Sequence, residues 1–416
     1  MKHTLRESHS ITPRSFYLLI FVVLFHLLLN THSQIALLFP NKEIGNLAIT
    51  LIVIAIFAGM FHFENKSLTK SNFLMSMHFQ KNTGSYQKYL RLFLLTIIPI
   101  TIIGIIARII VIVLTPQNLA VADMLPLIEK SGETLLQGYN PYQVYFFPYA
   151  MPLTFLPGLW LIYIPSIALG FDLRLTGIFI WIIISIILVY YTVKVSSRNS
   201  SSVTLLLSGA NICLLQVSPE LIGFHIYGHT FALWLWLVIL CIGLLEEKPI
   251  LTSIALGLAI SSRQTSIIFI PVIFAFCLYH HSWRAAFKCL LVSVSVFLIF
   301  AIPFLIMDPY QFLVAPILHY QNLANYDLSL NESRFIIDTI GFAYFIQTHW
   351  GTKLLSLFSA MAGLIIAISS FLMARNQTRL MLFLAAIVTF FLFFTPIPWT
   401  YTYYPVLLIL SFVFLT

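Results

Sequence analysis

Residues 92–114 read LFLLTIIPITIIGIIARIIVIVL, an apolar run in which Arg108 is the one charged residue. A bilayer core is crossed by a helix of about 20 such residues, and only helices or closed barrels satisfy their backbone polar groups there. Comparable runs occupy residues 16–29, 290–306 and 354–373. They lack the alternation of barrel strands, and therefore predict an all-α polytopic membrane protein with about 11–13 transmembrane or re-entrant helices.

The composition excludes a soluble domain. Hydrophobic residues make up 60% of the chain and charged residues 9%, whereas soluble domains carry about 25% charged residues. The net charge of +8 is explained by basic loops on the cytoplasmic side of a membrane, so the expected partners are membrane lipids and not nucleic acid. Cys213, Cys241, Cys277 and Cys289 show no metal-site spacing and are interpreted as small core residues. Neither a metal nor a cofactor is expected.

The distribution of basic residues predicts the organisation of the chain. Residues 1–63 are expected to form two amino-terminal transmembrane helices, followed by a basic cytoplasmic loop at 64–91. Residues 92–416 form the transmembrane core, with outer loops at about 115–147 and 307–334. The expected location is the bacterial plasma membrane, as a multi-pass protein.

Residues 148–170 are ambiguous because they contain four prolines, which remove helix hydrogen bonds. They either cross the membrane or form a re-entrant or broken pair of half-helices. The second alternative places Lys194 and Arg198 on the same side as the later basic loops, and is favoured. It also makes residues 250–278 two short elements meeting near Arg263, since one continuous span would hold that charge near mid-membrane at a cost of about 2.5–3.5 kcal/mol.

Asp123 opens the polar segment that follows the 92–114 run. A helix is predicted over 123–137, because the acid stands at its start and Gly138 just after its end. Two interpretations remain open for the carboxylate. It is either a helix N-cap, worth about 1 kcal/mol, or a general base, which contributes about 10²–10⁴-fold to a rate.

The pattern of an apolar helix, Asp123 and then Gly138-x-Asn140-Pro141-Tyr142 resembles the GT-C class of membrane glycosyltransferases. Within that class it is most similar to the glycosyltransferase family 87 type, the polyprenyl-phosphate-mannose-dependent mannosyltransferases. The resemblance implies transfer of a hexose, in the first instance mannose, from a polyprenyl-phosphate carrier to a hydroxyl of a lipid or glycan acceptor. The active site would face the extracytoplasmic side, with Asp123 as catalytic base.

Weaker likenesses lie further along the chain. They are Gly228-His229-Thr230, the apolar 256–259 followed by Arg263, and the aromatic segment 401–405. The chain also departs from the class: its first outer loop has no paired Asp-x-Asp, and His229 and Arg263 stand where Gln and Lys are commoner. The resemblance implies substrate-binding roles for Arg263, His229, Asn140 and Tyr142, and Arg108 is added to them as an ionisable residue within a span.

The two arginines allow a second interpretation from physical chemistry alone. Long basic side chains near helix ends reach towards the headgroups, whereas a guanidinium also suits bidentate contact with a phosphate. Both interpretations stay open for Arg108 and Arg263. His225 and His229 are four residues apart, but no third ligand accompanies them, so a metal site is not predicted.

Two other functions compete with glycosyl transfer. A transporter or flippase of a lipid-linked glycan would also place arginines in spans and use broken helices, with its key charges near mid-membrane. An enzyme resembling O-antigen polymerases or ligases would depend on Arg and His in large outer loops, without Asp123.

Overall fold

The computed structural model describes residues 13–39, 41–66, 83–117, 123–147, 149–319, 340–373, 375–395 and 400–416. These residues are overwhelmingly helical, which confirms the predicted all-α polytopic class. Parts of the predicted loops 64–91, 115–147 and 307–334 lie outside the described residues, as do residues 1–12.

The helices, in chain order, are α1 (Pro13–Leu37), α2 (Lys42–Lys66), α3 (Thr83–Leu114), α4 (Met124–Leu136), α5 (Pro157–Trp160), α6 (Ile164–Ala168), α7 (Leu173–Asn199), α8 (Ser202–Val217), α9 (Pro219–Gly223), α10 (Phe231–Leu245), α11 (Pro249–Ser262), α12 (Ile270–His280), α13 (Trp283–Met307), α14 (residues 315–319), α15 (Ala343–Trp350), α16 (Thr352–Met373), α17 (Gln377–Leu392) and α18 (Tyr404–Val413). Short 3-10 turns occupy Leu161–Tyr163, Phe224–Ile226, Gln264–Phe269 and Thr400–Tyr403, and a π-helical turn occupies Tyr310–Val314.

Six of these helices are long and apolar enough to cross a membrane: α1, α2, α3, α7, α13 and α16. The pair α8–α9 passes the same test as one span bent by 51°. Shorter apolar helices, among them α10, α11, α17 and α18, fill the space between the long ones. The chain is therefore an integral, multi-pass membrane protein with several broken or short spans.

Charged helix ends gather at one end of the bundle, here called the charged end and defined by Lys194, Arg198, Glu246, Glu247 and Gln377. The Lys194 ammonium donates to Glu246 Oε1 at 2.7 Å, and the Gln377 amide donates to Glu247 Oε1 at 2.8 Å. The end of α7, the loop between α10 and α11 and the start of α17 thus meet, as the favoured topology predicted. That this end faces the cytoplasm stays a prediction.

Helix α3 connects the charged end with the opposite end of the bundle. Near its start the Tyr86 hydroxyl lies 2.8 Å from Ser197 Oγ, at the end of α7. At a rise of about 1.5 Å per residue α3 is about 48 Å long. Beyond its last turn the Thr115 carbonyl accepts from Arg174 Nη1 at 2.6 Å, which ties it to the start of α7. Asp123 and α4 therefore lie at the end opposite to the charged one.

The described part of the proline-rich region contains no helix long enough to cross a membrane. Strands β1 (Val144–Phe147) and β2 (Tyr149–Pro152) pair antiparallel, with Val144 opposite Pro152. The helical residues after them, Pro157–Ala168, extend about 18 Å, which is short of a bilayer core of about 30 Å. The re-entrant alternative is supported, but the hairpin was not predicted, because each strand depends on hydrogen bonds to a partner rather than on its own residues.

The amino-terminal helices are part of the core rather than an appendage. His26 on α1 lies 3.3 Å from Asn211 Oδ1 on α8, and the Asn211 amide donates to Ser411 Oγ on α18 at 2.6 Å. Farther along α1, Asn30 Oδ1 accepts from Ser218 Oγ at 2.9 Å. Polar side chains thus connect α1 with α8, and through Asn211 with α18.

Candidate functional site

Asp123 stands at the N-terminus of α4 but does not cap it through its side chain. The Asp123 backbone carbonyl accepts from the Leu127 amide at 3.0 Å, which begins the helix. Its carboxylate makes no capping hydrogen bond. The N-cap interpretation depends on that bond, so capping does not account for the acid at this position.

The Asp123 carboxylate interacts electrostatically with His319 on α14. Burial lowers the pKa of His319 below its ordinary value, and the carboxylate opposes this change with a smaller effect. The imidazole is therefore neutral at pH 7. This interaction links parts of the two predicted outer loops, 115–147 and 307–334.

The motif Gly138 to Tyr142 folds into a fixed turn after α4. Gly138 has φ +84°, a conformation that favours glycine, and the Tyr139 amide donates back to the Thr134 carbonyl at 3.0 Å. Asn140 Oδ1 then accepts from the Tyr142 amide at 2.9 Å. These contacts form a helix C-cap and an Asx turn, and they hold the loop in one shape.

Tyr142 anchors that loop in the core. Its hydroxyl donates to the Phe155 carbonyl at 2.7 Å and accepts from Trp160 Nε1 at 3.2 Å. The ring contacts Phe304 and Phe312 edge-on, at centroid distances of 5.2 and 4.8 Å. The Tyr142 hydroxyl and Asn140 Oδ1 are thus engaged inside the protein; the binding roles of the two residues stay predictions.

Arg108 lies fully buried on α3, and its terminal nitrogens donate to backbone carbonyls. Nη1 donates to Gly104 O at 2.8 Å and Gln216 O at 2.9 Å, and Nη2 donates to Leu215 O at 3.0 Å. The guanidinium also lies over the Trp181 ring, 4.7 Å from its centroid. The side chain does not reach towards headgroups.

The chain needs these donors because of Pro219. Proline has no amide hydrogen, so the Leu215 carbonyl has no helical partner four residues later. The next amide, of Glu220, donates instead to Asn30 Oδ1 at 3.3 Å, which leaves the Gln216 carbonyl without one. Within a bilayer such carbonyls must be satisfied by the protein. Arg108 satisfies both carbonyls. Pro219 was the signal in the sequence that a carbonyl would lack its helical donor, but it did not show that Arg108 would replace that donor.

Arg263 lies at a break in the chain, as predicted. Helix α11 ends at Ser262, Arg263 itself is extended with φ −150° and ψ 131°, and the Gln264–Phe269 turn leads into α12. Counted from the charged end, α11 rises about 21 Å, which carries Arg263 well away from that end. Its guanidinium makes no hydrogen bond or ion pair with any residue that the structure describes.

Arg263 lines a cleft between α10, α17, α18 and the segment 263–269 that follows α11. The residues of the wall include Thr230, Thr265, Ser266, Tyr401 and Thr402. Thr230 is buried, and its Oγ1 has no hydrogen-bond partner among the described residues. The remaining wall is apolar, formed by Leu233, Trp234, Leu237, Ile268, Phe269, Val388, Phe391, Leu392 and Pro405.

His229 is a buried neighbour of the cleft. Its ring packs against Phe155 at a centroid distance of 4.6 Å and against Tyr401 at 5.8 Å, and it lies within electrostatic range of Arg263. Phe155 belongs to the apolar cluster that also holds Met124 of α4. The surroundings of Asp123 and the cleft of Arg263 are therefore adjoining parts of one end of the molecule.

No protein family, curated protein or solved structure matches the chain.

Proposed function

We propose that the chain is a membrane glycosyltransferase of GT-C type, which transfers a hexose from a polyprenyl-phosphate carrier to a hydroxyl acceptor on the extracytoplasmic face. The observation that carries the proposal is the state of Asp123: an acid at a helix start whose carboxylate is not used for capping. Mannose is the first sugar to test, because the resemblance is to mannosyltransferases.

In this proposal Asp123 removes the proton from the acceptor hydroxyl. The oxygen attacks the anomeric carbon, the bond to the carrier phosphate breaks, and the configuration inverts. A base must be ionised when the acceptor arrives. His319, which interacts electrostatically with this carboxylate, is neutral and so does not cancel its charge, which supports this role.

The cleft of Arg263 is the proposed site for the carrier phosphate. A leaving phosphate gains negative charge as the sugar departs, and a fixed cation stabilises that charge best where water is excluded. Arg263 is a cation that makes no hydrogen bond or ion pair with the described residues, and the buried Thr230 hydroxyl of the same cleft has no hydrogen-bond partner among them. The apolar wall suits the hydrocarbon part of a lipid carrier. His229 is retained as a buried support of the same cleft.

Arg108 has a different role in this proposal. Its terminal nitrogens donate to the carbonyls of α8 and stabilise the bent helix. Arg263, rather than Arg108, therefore binds the phosphate in this proposal. A transporter would be expected to use its intramembrane charges for cargo near mid-membrane, and the commitment of Arg108 is an argument against that function.

The test is sugar release from labelled polyprenyl-phosphate-mannose by membranes that contain the wild-type chain or Asp123→Asn. Asparagine is similar in size but cannot act as a base, so we expect turnover to fall about 10²-fold or more. The matched control is Glu129→Gln on the same helix, which removes an acid outside the proposed site and should retain wild-type turnover.

Equal turnover by wild type and Asp123→Asn would contradict the catalytic assignment. Movement of intact lipid-linked sugar across vesicles, without sugar release, would instead favour the transporter. Polymerisation of lipid-linked glycan that survives Asp123→Asn would favour the polymerase or ligase alternative.

A further inference from the structure

Cys277 on α12 and Cys289 on α13 lie side by side. The two helices are joined by residues 281–282 and run antiparallel, and the two Sγ atoms are 3.0 Å apart. Both side chains are buried, and both cysteines are free thiols. The sequence predicted four separate core cysteines, so this pairing is a result of the tertiary packing.

The local packing brings the thiols together through small residues. Ala286 on α13 is fully buried near the loop, and Ser293 Oγ on the same helix donates to the Ser253 carbonyl on α11 at 2.9 Å. Besides its contact with Cys277, Cys289 Sγ makes a long contact, 3.6 Å, to the Pro249 carbonyl. A disulfide has an S–S distance of about 2.05 Å, so the sulfurs need to approach by only about 1 Å.

The pair also lies close to the charged end. Cys277 precedes the end of α12 at His280 by less than one turn, and Cys289 lies within two turns of the start of α13 at Trp283. Helix ends open more readily than helix centres, which gives a small reagent a route to buried thiols. The content of Lys and Arg predicts that this end faces the cytoplasm, where glutathione is the main thiol reagent.

We propose that Cys277 and Cys289 form a dithiol modification site that is converted reversibly into an intramolecular disulfide by a small-molecule disulfide such as oxidised glutathione. One thiolate attacks the reagent, forms a mixed disulfide and releases one reduced thiol. The second cysteine then attacks the protein sulfur of that mixed disulfide and releases the other. Two protein thiols are oxidised, one reagent disulfide is reduced to two thiols, and the two protons go to those products.

The experiment compares two chains that each keep two cysteines. The pair-only chain carries Cys213→Ala and Cys241→Ala, and the matched control carries Cys277→Ala and Cys289→Ala. Membranes with each chain are treated with oxidised glutathione, denatured, labelled with a maleimide and analysed by intact mass. The site does not depend on the glycosyltransferase proposal, and no assay of sugar transfer is needed.

In the pair-only chain we expect both maleimide adducts to be lost after oxidation, with a decrease of about 2 Da in the unlabelled protein mass for the two hydrogens removed. Dithiothreitol should restore both adducts, and the chain should stay monomeric on a non-reducing gel. The control should keep both adducts. Retention of both adducts by the pair-only chain, or a disulfide-linked dimer in place of the internal bond, would overturn the proposal.

Discussion

Arg108 and Arg263 occupy similar sequence contexts but very different sites. Each is a lone cation in an apolar segment, and each lies near a place where a helix is broken. Arg108 is fully buried, and its terminal nitrogens donate to three carbonyls. Arg263 is half-buried, lines a cleft and makes no hydrogen bond or ion pair with the described residues.

The two sites differ in whether the backbone carbonyls at the break find hydrogen-bond donors in the backbone itself. At the bend after α8, Pro219 and the diverted Glu220 amide leave two carbonyls that Arg108 must satisfy. At the break after α11, backbone contacts continue: the Arg263 amide donates to Ala259 O and the Ser266 amide to Arg263 O, both at 3.0 Å. An arginine in a span is usually treated as a functional candidate. That inference is weakened when backbone carbonyls already need its guanidinium as a hydrogen-bond donor.

The largest expected effect tests the buried site of Arg108. Arg108→Met leaves the Leu215 and Gln216 carbonyls without donors, and we expect the free energy of unfolding to fall by about 2–4 kcal/mol. The measurement is thermal unfolding of purified protein in detergent. Arg263→Met is the control and should change stability little. If Arg263→Met is the more destabilising of the two, the assignment of roles is reversed.

A glycine next to Arg108 gives a second test of the same region. A Cβ at Gly104 would lie 2.9 Å from the Gln216 carbonyl oxygen and 3.0 Å from Arg108 Nη1. Gly104→Ala therefore forces α3 away from α8, at an expected cost of about 1–3 kcal/mol. Gly223→Ala, where a Cβ meets nothing within 4 Å, is the control. The same unfolding assay should show no loss for the control; equal stability of both variants would mean that the α3–α8 contact is not tight.

The smallest expected effect concerns the cleft of Arg263. Arg263→Gln removes one charged hydrogen-bond partner of the donor phosphate, and we expect the KM for polyprenyl-phosphate-mannose to rise about tenfold to a hundredfold. Unfolding should occur at the wild-type temperature. Arg284→Gln, an exposed arginine at the start of α13, serves as the control. An unchanged KM in Arg263→Gln would remove the cleft from the proposed mechanism while leaving the Asp123 test intact.

The sequence predicted those parts of the molecule that depend on local pattern. Helix α4 begins and ends within a residue of its predicted limits, because its start and stop signals are adjacent residues. The break at Arg263 was also predicted, since the cost of a charge in a continuous span is visible in the sequence alone. By contrast, Asp123 had two interpretations, and the orientation of its carboxylate was needed to weigh them.

The membrane class and the main helices were determined by the sequence itself. The free energy of transferring about 20 apolar side chains into lipid is a sum of contributions from consecutive residues. The partners of Arg108, the β1–β2 hairpin and the pairing of Cys277 with Cys289 were decided only by the tertiary structure. Arg108 and Gln216 are 108 residues apart, and no local pattern specifies which distant carbonyl lacks a donor. Such contacts form when helices pack, since packing determines which polar groups are left to satisfy one another.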